Sequence, residues 1–139
     1  MALNNFSKHW KSSTQTRKQR KYRHNAPNHL RHKMMRAPLS SDLRKQHGVR
    51  NMSVRSGDTV VVKAGQFKGQ SGKIAIVNLA KLKIKIDGVQ QTKRDGSSVM
   101  YPIDPSNVEI TKLDLSDDLR KSKLDERVAQ IKQANEVKQ

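Results

Sequence analysis

The sequence predicts a mainly β protein: one small barrel, a basic N-terminal extension containing short helices, and a helical C-terminal tail. Three observations predict it. Runs within residues 56–89 alternate apolar and polar side chains, and successive side chains of a pleated strand face opposite sides. Gly65, Gly69 and Gly72 recur between two of those runs, the punctuation of a tight turn. Charge and core-forming residues are also unevenly spread. Residues 1–55 hold 14 Lys and Arg against 1 acid, residues 56–112 hold 9 against 5, and residues 113–139 hold 6 against 6. Val, Ile, Leu and Phe number 16 in the middle segment and 7 in the first, so the middle is read as burying a core and the first third as unable to. The organisation expected is an extension over 1–50, a barrel over 51–113 and a tail over 114–139.

The first 25 residues combine few apolar side chains with dense positive charge, a composition that stays disordered until a partner neutralises it. Arg17, Lys18, Arg20, Lys21 and Arg23 form the densest cluster, with Tyr22 inside it. Arginine forks onto phosphates and stacks on bases, and tyrosine offers a stacking face. A solvated tail is the bland alternative. The surrounding stretch is basic throughout, which favours contact with nucleic acid. Pro27 opens a short helix over 28–36, with Leu30 and Met34 on one face and His29, Arg31, His32, Lys33 and Arg36 available to RNA. His29 and His32 have the spacing of metal ligands, but with no cysteine in the chain and no acid nearby, no metal site is expected.

Pro38 ends that helix; Ser40, Ser41 and Asp42 cap another over Ser41–His47, and Gly48 stops it. Residues 49–54 lead into the barrel. Its first strands are 59–63 and 73–77, joined by the glycine-rich loop, and a third covers 81–86 with Leu82, Ile84 and Ile86 inward. Lys63, Lys68 and Lys73 surround Gly65, Gly69 and Gly72, giving a basic loop whose backbone a ligand can approach. Residues 93–96, Lys-Arg-Asp-Gly, signal a hairpin turn. Val99, Tyr101 and Ile103 alternate beyond it, residues 104–107 turn again, and Val108 and Ile110 close a last strand. About five short strands with glycine turns point to an SH3-like barrel. Ser116, Asp117 and Asp118 cap a final helix whose Leu124, Val128 and Ile131 share a narrow stripe.

Catalysis is not expected. The loop over 65–73 falls short of a nucleotide-binding phosphate loop, with Phe67 where a glycine belongs and Ile74 in place of the magnesium-binding hydroxyl. Asp58, Asp87, Asp95 and Asp104 adjoin Gly or Pro or sit in turns, where aspartate caps or bends the chain. No cofactor or small-molecule substrate follows from these residues. A net charge of +17 attracts polyanions, and the membrane-surface alternative lacks a basic amphipathic helix with a wide apolar face. No apolar run approaches the roughly 20 residues of a membrane span. No signal peptide is read at the amino terminus, and the lack of cysteine fits a reducing compartment, so a soluble intracellular chain is expected.

The core stretch resembles the KOW motif of ribosomal proteins and transcription elongation factors: Gly57-Asp58, Val60, Val62, Gly65, Lys68-Gly69, Gly72-Lys73-Ile74, then Asp87-Gly88-Val89. The flanks narrow the resemblance. Arg17-Lys18-Gln19-Arg20-Lys21, Asn25-Ala26-Pro27, His29-Leu30-Arg31-His32-Lys33, Ala37-Pro38-Leu39-Ser40, and Tyr101-Pro102-Ile103 with Pro105-Ser106-Asn107-Val108 are similar to the archaeal and eukaryotic branch of the universal large-subunit ribosomal protein family numbered twenty-four. The likeness covers about residues 15–127, and residues 1–14 and 129–139 depart from it. It implies a structural constituent of the cytoplasmic ribosome. Its partners would be large-subunit ribosomal RNA and neighbouring ribosomal proteins, with binding early in assembly and near the nascent-peptide exit. The elongation-factor branch is the alternative, and it lacks the basic flank.

Overall fold

A computed structural model describes Phe6, Ser7, His9 and residues 11–136 of the chain. In order the elements are α1 (Thr16–Asn25), α2 (Asn28–Met34), β1 (Arg36–Pro38), α3 (Ser41–His47) and β2 (Asn51–Ser53). There follow β3 (Thr59–Val62), β4 (Ser71–Asn78), β5 (Lys83–Thr92), β6 (Ser98–Ile103), a 3-10 turn (Pro105–Asn107), β7 (Val108–Lys112) and α4 (Asp118–Glu136). Five strands form one antiparallel sheet in the order β6-β5-β4-β3-β7, so neighbours in sequence are mostly neighbours in space. Ladder shifts fall between Thr59 and Val60, between Ile74 and Ile76, and between Lys85 and Gln90, where the strands can bend.

The alternation in 82–86 does what its period requires: Leu82, Ile84 and Ile86 are all buried. The third strand starts later than the alternation suggests, at Lys83, because Leu82 turns in the left-handed region at φ 53° and still points inward. Gly72 sits in β4 where no side chain fits: a Cβ there would lie 2.2 Å from the Asp87 carbonyl oxygen of β5. That contact is with backbone, which cannot swing aside. Gly72→Ala is therefore expected to destabilise the fold by about 1–3 kcal/mol or more, read as a lower urea midpoint with an unchanged slope.

Two readings of the first third are corrected. Met35, Ala37 and Leu39 alternate inward along β1 and join the same core as Val60, Ile84 and Ile110. The first third therefore does build core. Pairing over so few residues gives too short a run for apolar density to reveal. The helix of 28–36 ends at Met34 because Arg36 pairs with Ser53 across a two-stranded β1-β2 sheet. Residues 49–54 thus pair with β1 rather than with the larger sheet; the two sheets meet where Ser40 N–H donates to the Ile110 carbonyl at 2.9 Å.

Residues 16–25, expected to lack order, are helical, yet none of them is buried. A ten-residue helix with no docked face has little to hold it in water. The short α3 matches its caps: Ser40 Oγ accepts from Leu43 N–H, and Gly48 takes the left-handed conformation at its end. The hairpin turn of 93–96 also forms, with Gly96 N–H donating to the Lys93 carbonyl at 3.1 Å. The tail is helical through Glu136; its last three residues lie outside the described ones.

Asp58 does cap its turn, accepting from Arg55 N–H, but it does more than that reading foresaw. It is fully buried, and Arg120 from α4 is buried against it. Arg120 Nη1 donates to Oδ1 at 2.6 Å and Nη2 to Oδ2 at 2.7 Å, a two-pronged ion pair. Backbone groups add further hydrogen bonds to both partners. The Asp58 carboxylate accepts from Arg55 and Asp114 backbone N–H groups, while Arg120 donates to the Asp114 and Ser53 carbonyls. With Leu124 buried and Val128 and Ile131 packed on the core, α4 is pinned to the body of the protein.

Candidate nucleic-acid interface

The basic side chains singled out by the sequence fall in three places. The first is α1, where Arg17, Lys18, Arg20, Lys21 and Arg23 are all exposed. At 3.6 residues per turn these positions spread around the helix axis instead of sharing a face. Such a rod carries cations on several sides at once. Tyr22 is half-buried because Phe6 packs against it, with ring centroids 4.9 Å apart.

The second place is α2 and the start of β1. His29, His32 and Lys33 are exposed, while Arg31 and Arg36 are half-buried. Arg31 Nη2 donates to the His24 carbonyl at 2.6 Å, so it satisfies an end carbonyl of α1 and fixes the α1–α2 corner. Arg31 thus positions the arm as well as adding charge. Among the described residues no group of three or more His, Asp or Glu side chains is placed to share a metal ion.

The third place is the β3–β4 hairpin. Its loop is closed internally: Gly69 N–H donates to the Val62 carbonyl and Val62 N–H to the Gln70 carbonyl, each at 2.8 Å. Gly65 and Gly69 have φ of 102° and 91°, conformations that favour glycine, and nothing lies within 4 Å of where their Cβ atoms would be. They shape the loop and leave its outer surface open, whereas Gly72 is a packing requirement. Lys68 is exposed at the loop and Lys73 is exposed on β4. Lys63 is ion-paired with Glu109 of β7, although its side chain remains 60% exposed.

Acidic groups near these cations are already committed. The N–H of Ser116, then its hydroxyl, hold the Asp114 carboxyl below the usual carboxylate range, with Arg120 and Lys73 adding attraction. The Arg55 guanidinium does the same to Asp117, which also caps α4 by accepting from Leu119 N–H. The buried Asp58–Arg120 pair escapes the sequence reading. Its partners are separated by 62 positions, and neither neighbourhood marks burial.

The family model for the ribosomal proteins called L26 in eukaryotes and L24 in archaea matches residues 13–127. The large ribosomal subunit protein uL24 of Methanosarcina barkeri is 52% identical over 112 residues, covering 81% of this chain and 97% of that protein. The protein of the same name from Pyrobaculum islandicum is 47% identical over 109 residues, covering 78% of this chain and 89% of its own. The matched span takes in α1, the packed sheets and the first half of α4, so arm and body are matched as one unit and the chain belongs to the family of eukaryotic L26 and archaeal L24 ribosomal proteins.

Proposed function

We propose that this protein is a structural, non-catalytic constituent of the large ribosomal subunit, acting in the cytoplasm by binding ribosomal RNA beside neighbouring ribosomal proteins. The observation that carries the proposal is the family match over residues 13–127. Joining early in assembly and sitting near the nascent-peptide exit are part of the same reading, by analogy with the family.

The mechanism is a division of labour. The strands, bent at their three ladder shifts, curl into an SH3-like barrel that serves as a rigid platform. Lys63, Lys68 and Lys73 meet phosphates from that platform, with Gly65, Gly69 and Gly72 setting the loop. Arg17, Lys18, Arg20, Lys21, Tyr22 and Arg23 enter the RNA from α1, and His29, Arg31, His32, Lys33 and Arg36 continue the contact. Phosphate contacts supply affinity; the shape of the folded RNA supplies specificity.

The experiment is sedimentation of the tagged native chain from a cell extract. It should travel with large ribosomal subunits and remain there through a moderate-salt wash. Co-migration with RNA polymerase instead would replace this reading with the elongation-factor one.

A further inference from the structure

The β5–β6 hairpin leaves the body of the protein. Residues 90–99 are all exposed, although the ladder continues through Gln90↔Met100, Gln91↔Val99 and Thr92↔Ser98. An isolated two-stranded ribbon is marginal in water, so a ribbon built this way calls for something to lie against. Its chemistry says what. The exposed residues are largely hydrogen-bonding: Gln90, Gln91, Thr92 and Ser98, with Lys93 and Arg94 at the tip. The tip's one acid is exposed but engaged within the turn, as Asp95 Oδ1 accepts from both the Ser97 N–H and its hydroxyl, at 2.9 and 2.6 Å. The ribbon's end therefore presents two cations that make no ion pair among the described residues.

We propose that this hairpin is a second RNA-binding element, laid against the minor groove of a ribosomal RNA helix with Lys93 and Arg94 gripping the flanking phosphates. It rests on the RNA-binding reading above and adds a site to it. The minor groove of A-form RNA is wide and shallow and displays 2′-hydroxyls. Gln90, Thr92 and Ser98 share one face of the ribbon and supply amide and hydroxyl groups that match that donor and acceptor surface, while Gln91 and the exposed Val99 lie on the other face. A protein partner is the weaker fit. A strand added along the full length of β6 would meet Pro102, which lacks the N–H that pairing needs, and the cationic tip favours a polyanion over an added strand.

The test uses the full chain on large-subunit ribosomal RNA, with ribose-directed radical footprinting and binding measured across a salt series. Lys93→Gln/Arg94→Gln alters only exposed side chains, and an unchanged melting curve verifies the fold. The double variant is expected to lose one patch of ribose protection while keeping the rest. Its log-affinity against log-salt slope should fall by roughly 1.4–1.8, the loss of two phosphate contacts, which is roughly 25- to 60-fold in affinity at 0.1 M salt relative to 1 M. Lys93→Arg/Arg94→Lys should retain the protection. Unchanged slope and footprint in the glutamine variant, with wild type bound, overturn the hairpin site and leave the RNA-binding reading standing. A wild-type chain that protects no RNA overturns both. Crosslinks from residue 94 to a ribosomal protein instead of RNA assign the ribbon to a protein partner and overturn the groove.

Discussion

Arg120→Met is expected to lower the unfolding free energy by about 3–5 kcal/mol, because it strands the buried Asp58 carboxylate without its partner. Methionine replaces much of the arginine stem, so packing changes little. What is lost is the charge that faces Asp58 and the two donors that reach the Ser53 and Asp114 carbonyls. Asp58→Ala strands the guanidinium in the same way and should fall in the same range. It also leaves the Arg55 and Asp114 N–H groups without their acceptor, each worth about 1 kcal/mol. The double variant removes both charges and is expected to be clearly more stable than the sum of the two singles predicts. Four backbone groups would still lack partners, so recovery is partial. Urea unfolding of the three variants gives the cycle; strict additivity would show that the pair is not coupled and that α4 is held by Leu124 and its neighbours alone.

The contrast between this pair and the strands shows what the sequence can and cannot express. The hairpins are legible because their signals are local. Period-two alternation across residues 82–86, the glycines of the β3–β4 loop and the Asp95-Gly96 turn each specify structure within a few positions. The cap on α3 is legible for the same reason. Asp58 is not, because its local context, a glycine before and a strand after, is that of any turn aspartate; only the arrival of α4 buries it. Met35, Ala37 and Leu39 are hidden similarly. A three-residue strand leaves no periodicity to count, and the dense arginine and lysine around it masks its apolar content. At the candidate interface, charge density alone marks the arm, since attraction to a polyanion depends on the quantity of charge more than on its placement. Its internal division is not legible. That Arg31 holds a helix corner, that Lys63 faces Glu109 and that Gly72 serves packing depend on contacts across the fold.

Replacing the five cations of α1 with glutamine is expected to remove a large share of the salt dependence of RNA binding, more than any other single element carries, while leaving the folded body intact. None of the α1 residues is buried, so the substitutions remove no core contact. Truncation of residues 1–36 would be a poorer experiment, because it deletes Met35 from the core and Arg36 from the β1–β2 ladder. If each cation neutralises one phosphate, five losses lower the log-affinity against log-salt slope by roughly 3.5–4.5. Between 50 and 200 mM salt, wild type should then lose roughly a hundredfold to several-hundredfold more affinity than the variant. Glutamine preserves helix propensity and hydrogen-bonding length, so a change in slope reports charge and not loss of the helix. A parallel set on the platform, Lys68→Gln with Lys73→Gln, should shift the slope by no more than about 1.8. If instead the platform set removed more salt dependence than the α1 set, the arm would be a solvated appendage and the β3–β4 hairpin the principal grip.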